Sequence, residues 1–377
     1  MKIIYFSNSE VPAKAANSVH VMHMCAALAG LGHDAELYTK RSASTQHPSK
    51  CDVFAHYGVP ENFLVTPVWF PRFRGKTFVY AIAGLLHLVK AKPDLVYGRS
   101  LLGCALAALF GYPTALEFHN DCNSAFEKKV FRLLVSRKCF LGLVVISEAL
   151  KRHVATQYAY HNVLVAHDAA PKVIGVADPV TLQSSENYEL NVGYVGQLYQ
   201  GKGMEIISQL ARRCTSYGFH IVGGSDTDVA HWSHSLHGVP NVFFYGHQPH
   251  RHVSSFLGQF DVVVAPYAQT VHAHNSERDI SRWMSPLKLF EYMSAKQAIV
   301  ASDLPVIREV LRHNENALLC PPDALDKWVD ALNTLAHDEA LRQRLGACAY
   351  ADFSNAYTWE RRAQRITDFV STQQRPA

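Results

Sequence analysis

Residues 285–303 read SPLKLFEYMSAKQAIVASD, a short helix entered through Ser-Pro and followed by a buried strand at 298–302. Ser285 suits the N-cap and Pro286 the first helical position, where its missing N–H costs nothing. Leu287, Phe290 and Met293 recur at helical spacing, so this face is expected to pack on a sheet. Glu291 lies one position off that stripe. A carboxylate on a helix at the mouth of an α/β sheet can accept hydrogen bonds from a sugar's hydroxyls.

Outward from this segment the same strand–helix alternation fills the chain. Strand-like runs fall at 3–7, 35–39, 63–68, 95–98, 115–119, 143–146 and 163–166, with helix-like segments at 18–31, 77–89, 101–110, 124–136 and 148–158. A second series has strands at 190–195, 220–222, 242–245, 262–265, 298–302 and 317–319, and helices at 203–217, 250–259, 285–294 and 324–335. Alternation of this kind predicts parallel sheets covered on both faces. The fold class is therefore α/β, as two doubly wound, Rossmann-like domains with a cleft between them. Domain 1 spans 1–172, a Pro/Gly/Ser-rich linker 173–189, and domain 2 190–357, before a helical tail at 358–377.

Composition bounds the function. With 377 residues, 48% hydrophobic and 18% charged, the chain is long enough for two globular cores. A formal net charge of +4 does not argue for nucleic acid. The 8 cysteines form no C-x-x-C pair, which suits reduced thiols and a cytoplasmic setting. The opening MKIIYFS is too short for a signal peptide, and the apolar stretch 78–89 is too short to span a bilayer. The basic, aromatic segment 69–76 (WFPRFRGK), with Lys128, Lys129, Arg132, Arg137 and Lys138, suits peripheral contact with anionic lipid, plain surface charge being the alternative.

The chemistry-bearing loop is 194–203, YVGQLYQGKG, between a strand and a helix. Its small residues allow a tight turn, and the helix beyond aims N–H groups and its positive dipole end at an anion. Gly196, Gly201 and Lys202 keep P-loop spacing, but Gly203 stands where Mg²⁺ binding needs Ser or Thr. An NTPase is thereby disfavoured; a glycine-rich turn without a ligand is the plainer alternative. Near the first strand, 8–17 (NSEVPAKAAN) forms a loop, with Asn17 or Ser18 as the N-cap of the next helix.

His119, followed by Asn120 and Asp121, ends a strand at its carboxyl end, where ligands bind in this architecture. Glu117 shares its strand face and could orient the ring. The histidines at 231, 234 and 237, and those at 247, 250 and 252, lack the Glu base and cysteines of a zinc site and are read as solvated, as are His20 and His23. No metal is expected.

In order, HVMHMCAALAGLGHDAELYT, PDLVYGR, LEFHND, VVISEALK, YVGQLYQGKG, VVVAPY and SPLKLFEYMSAKQAIVASDLPVIREVL resemble the GT-B glycosyltransferases of family 4, retaining enzymes that use nucleotide-diphosphate sugars. The resemblance covers nearly the whole chain and is most specific at YVGQLYQGKG and SPLKLFEYMSA. It implies an acceptor-binding first domain, a donor-binding second domain, and a tail helix crossing back to the first. Catalysis would fall to His119, beside the reacting sugar, Lys202, on the diphosphate, and Glu291, on the ribose. Donor binding would involve Gly196, Gln197, Lys202, Gly203, Ser285, Pro286, Leu287, Lys288 and Glu291. Asn17, Ser18, Asn120, Glu277 and Asp279 would offer sugar or acceptor contacts.

Three positions depart from the family pattern. Trp283 stands at the first glutamate of E-x7-E, Gln197 where an arginine is common, and Ala15-Ala16 where Gly-Gly is common. The resemblance further implies transfer of a sugar from a UDP- or GDP-linked donor, with no other cofactor, to a saccharide or lipid-linked acceptor in cell-surface polysaccharide synthesis. The setting would be cytoplasmic, at the membrane's inner face. A non-catalytic homologue and a nucleotide-sugar epimerase are the competing readings.

Overall fold

The alternation of apolar strands and amphipathic helices folds into two all-parallel sheets in the computed structural model, which describes residues 1–13, 15–41, 50–70, 75–172, 180–272 and 279–374. The chain divides into two units, Met1–Asp168 with Trp359–Ala377, and Ala169–Thr358.

The first unit runs β1 (Lys2–Val11), α1 (Ala16–Gly30), β2 (Asp34–Arg41), α2 (Lys50–Tyr57), β3 (Leu64–Val68), α3 (Lys76–Ala91), β4 (Leu95–Gly98), α4 (Leu101–Leu109), β5 (Thr114–Phe118), α5 (Ala125–Val135), β6 (Phe140–Val145), α6 (Glu148–Tyr158) and β7 (Val163–Val165). Its 7-stranded sheet has the order β3-β2-β1-β4-β5-β6-β7. The direction of winding reverses between β1 and β4, so loops at the carboxyl ends of β1, β4 and β5 border the crevice where such sheets bind ligands. Central strands are buried on both faces, as continuous apolar runs require; Leu95–Gly98 and Phe140–Val145 are buried throughout.

The second unit runs β8 (Leu190–Val195), α7 (Met204–Arg213), β9 (Tyr217–Val222), α8 (Asp226–Ser235), β10 (Val242–Gly246), α9 (His250–Leu257), β11 (Val262–Ala265), α10 (Leu287–Ser294), β12 (Ala298–Ser302), β13 (Leu318–Cys320), α11 (Leu325–His337) and α12 (Glu339–Ala356). The order is β10-β9-β8-β11-β12-β13, with the reversal between β8 and β11. Val192, Tyr194, Ile207, Phe219, Val264, Val300 and Trp328 form its core. Each such fully buried side chain stabilises by about 1.5–3 kcal/mol before entropy is counted. The tail helix α13 (Trp359–Gln374) buries Trp359, Arg362, Ala363, Ile366 and Val370 at helical spacing and packs on α1 and β6 of the first unit.

Several local expectations are corrected. β1 continues to Val11, so Asn8–Val11 is strand and not loop. The cap of α1 is Ala15, which makes no side-chain capping bond; Asn17 and Ser18 lie within the first turn. The Ser18 hydroxyl instead donates back to the carbonyls of Ala13 (2.8 Å) and Ala15 (2.6 Å). α10 begins at Leu287 with Pro286 at the cap, because Pro286 holds the extended backbone of a cap residue (ψ 122°). Ser285 therefore precedes the helix. α7 stops at Arg213, and α2 and the long α12 have no counterpart in the sequence expectations. Much of the linker, at 173–179, lies outside the described residues.

Candidate active site

In the second unit, β8 ends at Val195, and Gly196 hands the chain to the loop that enters α7. Gly196 has φ +151°, where any side chain would be strained, and a Cβ there would lie 2.9 Å from Lys288 Nζ and displace that lysine's tip. The Tyr194 hydroxyl clamps the loop at both ends, donating to the carbonyls of Gln197 (2.6 Å) and Lys202 (3.0 Å). Tyr292 of α10 accepts the Val195 N–H at 2.9 Å, tying helix and loop together.

Two lysines converge here. The Tyr267 ring, just past β11, has its centroid 5.5 Å from Lys202 Nζ and 5.0 Å from Lys288 Nζ. Lys288 Nζ also sits 3.8 Å from the Tyr194 ring centroid, in cation–π contact. Lys288 is buried, and its ammonium nitrogen has no hydrogen-bond partner among the described residues. Burial pushes Lys202 down to about 8. Lys288 is held well below the usual lysine range by burial first and then by Lys202, with Glu291 opposing. A buried cation without an acceptor is costly, and an anion between the two lysines would relieve it.

The helix starts add to this. α7 and α10 both begin without a side-chain cap, at Gly203 and Pro286. Their first N–H groups suit an anion through hydrogen bonding and the dipole. Glu291 is half-buried on α10, one position beyond the buried Phe290. Gln197 is exposed. Asp279 is spent on backbone: its Oδ1 accepts the N–H of Ser281 (2.9 Å) and of Val271 (3.2 Å). Burial raises the Asp279 carboxyl, but the Ser281 and Val271 bonds outweigh it and hold it below the ordinary value. Through Oδ1 it braces its loop. Glu277 lies outside the described residues.

The first unit holds a buried charged cluster centred on Glu117. Its Oε1 meets His119 Nε2 at 2.6 Å, His20 Nε2 at 2.7 Å and the Arg362 guanidinium at 2.9 Å. Its Oε2 accepts from Tyr5 at 3.0 Å and from Tyr97. Burial pushes Glu117 up, yet Arg362, His20 and the histidine hydrogen bonds hold it well below the ordinary carboxylate range. His119 is driven down to about 4 by burial and by the Arg99 charge, against Glu117. It is thus a neutral ring, oriented by Glu117 as its strand position suggested.

His20 and His23 are buried, which corrects their reading as solvated. His20 bridges Glu117 and Asp168 (2.9 Å), and Trp359 of α13 packs on both rings. His231, His234 and His237 are exposed, as expected. Asp121 is occupied too, facing His153 at 3.0 Å and accepting from the Cys122 N–H (2.7 Å) and Tyr158. Asn120 is half-buried and Asn17 exposed. His20, Glu117 and His119 present ligand atoms within 4.8 Å of one another. Both histidines and Arg362 meet the same carboxylate oxygen, Glu117 Oε1, within hydrogen-bond distance.

Sequence reasoning named Lys288 without its burial, and it missed His20, Asp168 and Arg362. The last sits 245 positions from Glu117, a distance no local pattern spans.

Two family models match the chain: a glycosyl transferase 4-like domain over residues 17–167, and glycosyl transferases group 1 over residues 189–338. No curated protein sequence matches. Among solved structures, sucrose-phosphate synthase from Thermosynechococcus elongatus superposes with a TM-score of 0.75 at 16% identity, covering 99% of each chain. HepE from Anabaena, solved with UDP and glucose, gives 0.71 at 16% identity over 99% of this chain and 100% of its own. The galactosyltransferase WaaB gives 0.65 at 14% identity over 99% and 100%. With both halves matched in order and the same two-sheet fold throughout, the chain belongs to the GT-B glycosyltransferases.

Proposed function

We propose that this glycosyltransferase is a retaining, metal-independent enzyme that moves a sugar from a UDP- or GDP-linked donor to a saccharide or lipid-linked acceptor in cell-surface polysaccharide synthesis. The observation that carries the donor half is Lys288, a buried ammonium with no acceptor, next to Lys202 and an uncapped helix start. A nucleotide's diphosphate supplies what those groups lack. HepE, solved with UDP and with UDP-glucose, and WaaB, an outer-core galactosyltransferase of lipopolysaccharide, support the donor and acceptor classes by likeness of fold.

In this reading Lys202 and Lys288 bind the diphosphate, and Lys288 supplies charge that Gln197 does not. Gly196 and Gly203 let the loop approach it. The backbone of Ser285, Pro286 and Leu287 lies along the donor, and Glu291 accepts from the ribose hydroxyls. His119 contacts the transferred sugar. The bond between anomeric carbon and diphosphate oxygen breaks as the acceptor oxygen bonds to that carbon from the same face. The acceptor's proton passes to the departing diphosphate, whose growing charge the lysines and helix dipole stabilise. The work is done in the cytoplasm, at the inner face of the membrane.

The reading has a direct thermodynamic signature. In the empty site burial lowers Lys202 to about 8 and holds Lys288 well below its ordinary value. A bound diphosphate raises both, so the bound state carries more protons. Affinity must then fall as pH rises through and beyond about 8. Calorimetry with UDP and GDP near that pH, in buffers of different ionisation enthalpy, should show net proton uptake. Proton release, or binding of neither nucleotide, would count against the lysine pair as the diphosphate site.

A further inference from the structure

Among the described residues, every large aliphatic or aromatic side chain counted as exposed lies between Leu64 and Leu133 in the first unit. Scattered exposed apolar residues are ordinary; a confined, contiguous set is not. The centre of this set is α3. Phe78, Ile82, Leu86 and Val89 are 47%, 52%, 63% and 54% exposed. At 3.6 residues per turn these four fall within an arc of about 80°. Tyr80, Ala81, Gly84 and Leu88 are buried on the opposite side. The helix therefore has one apolar face for its own core and a second that no described residue covers.

The face continues sideways. α4 packs against both α3 and α5. The Phe78 ring meets Phe126 of α5 with centroids 5.5 Å apart, and Phe126 and Leu133 are 49% and 37% exposed. Cations rim the surface: Lys76 and Lys90 stand exposed near the ends of α3, and Lys129 and Arg132 on α5. Neither α3 nor α4 contains a carboxylate. The lone one on α5, Glu127, is held by the Asn123 N–H at 2.6 Å.

We propose that the α3–α5 face docks on an anionic lipid bilayer, with the apolar side chains entering the interface and the lysine and arginine side chains meeting phosphate headgroups. Apolar residues along a helix, flanked by cations and lacking anions, match the chemistry of a negatively charged interface. A second copy fits worse, because a two-fold contact over this face would set cation rim against cation rim. The docking gives the proposed lipid-linked or surface-polysaccharide acceptor its meaning, and to that extent rests on the reading above.

The test is flotation of the full chain with vesicles of phosphatidylcholine alone or mixed with phosphatidylglycerol. Wild type should float with the mixed vesicles, less so in high salt. The Ile82→Asp/Leu86→Asp and Lys129→Glu/Arg132→Glu variants should each lose partitioning by about tenfold or more, with melting curves and UDP or GDP binding unchanged. Flotation that persists while no nucleotide binds would uphold the docking face and sink the transferase reading. Wild type left unbound, or an aspartate variant that floats equally well, would overturn the docking. So would a wild-type dimer in the absence of vesicles that the aspartates dissociate, since that assigns the face to a second copy.

Discussion

Replacing Lys288 with methionine is expected to lower kcat/KM for sugar transfer by about 10²–10³-fold, the usual cost of deleting one group that stabilises developing charge. The same substitution should raise the melting temperature of the empty protein. Lys288 is buried without a hydrogen-bond acceptor, so its ammonium costs stability until an anion arrives. Methionine keeps an unbranched apolar stem, one atom shorter, and removes the cost. Gain in stability with loss of activity is the pattern of a residue kept for function. Lys202→Ala should lose activity on a similar scale. Because both lysines would act on one diphosphate, the double variant should lose less than the product of the single losses. A Lys288→Met enzyme with unchanged kcat/KM would remove that residue from the site.

Arg362→Ala is expected to destabilise the first unit by about 3–5 kcal/mol, since it leaves a buried carboxylate without its main countercharge. Arg362 donates to Glu117 (2.9 Å), to the His167 carbonyl (2.9 Å) and to the Ala166 carbonyl (3.3 Å), so it also secures α13. Adding Glu117→Gln should recover part of the loss, and the double-mutant cycle read by urea unfolding measures the coupling. The cluster also sets an acid limit. Glu117 is depressed in the fold, so its contribution is present above its unfolded value near 4.5 and is lost as pH falls through the folded one. His119, lowered from 6.5 to about 4, adds to this: the unfolded chain binds the extra proton between those values. First-unit stability should thus decline from about pH 6.5 downward. A flat profile from neutrality to pH 4 would contradict the assignment of neutral His119.

The fold was legible because its signals are local. Apolar strand runs such as 262–265 and 298–302 match the observed β11 and β12 residue for residue. The glycine-rich turn of 194–203, readable as an anion-facing loop, follows β8, where the winding of the second sheet reverses. α12 was missed because its buried residues, Leu345, Gly346, Ala349 and Phe353, are mostly small and make a weak stripe. The start of α10 was one position early because Ser285 and Pro286 both fit a helix entry, and only the backbone decides between them.

The site was legible in part, and for a physical reason. Lys288 falls beside the Leu287–Phe290–Met293 stripe, so periodicity alone gave no hint that its nitrogen is buried against Tyr194. His20 looked like one more polar helical residue, because its partners Glu117, Asp168 and Trp359 are remote in sequence. The apolar side of α3 was readable as a helix, but its two apolar faces differ only in what packs on them. That is a tertiary fact.

The central claim is transfer from a nucleotide-diphosphate sugar. Its most direct test is a panel of UDP- and GDP-sugars, read as released nucleoside diphosphate with the anomeric configuration of the freed or transferred sugar followed by NMR. The account predicts release from one donor with retained configuration, and its loss in Lys288→Met. No release from any donor, inverted configuration, or an isomerised sugar still joined to its nucleotide would contradict it.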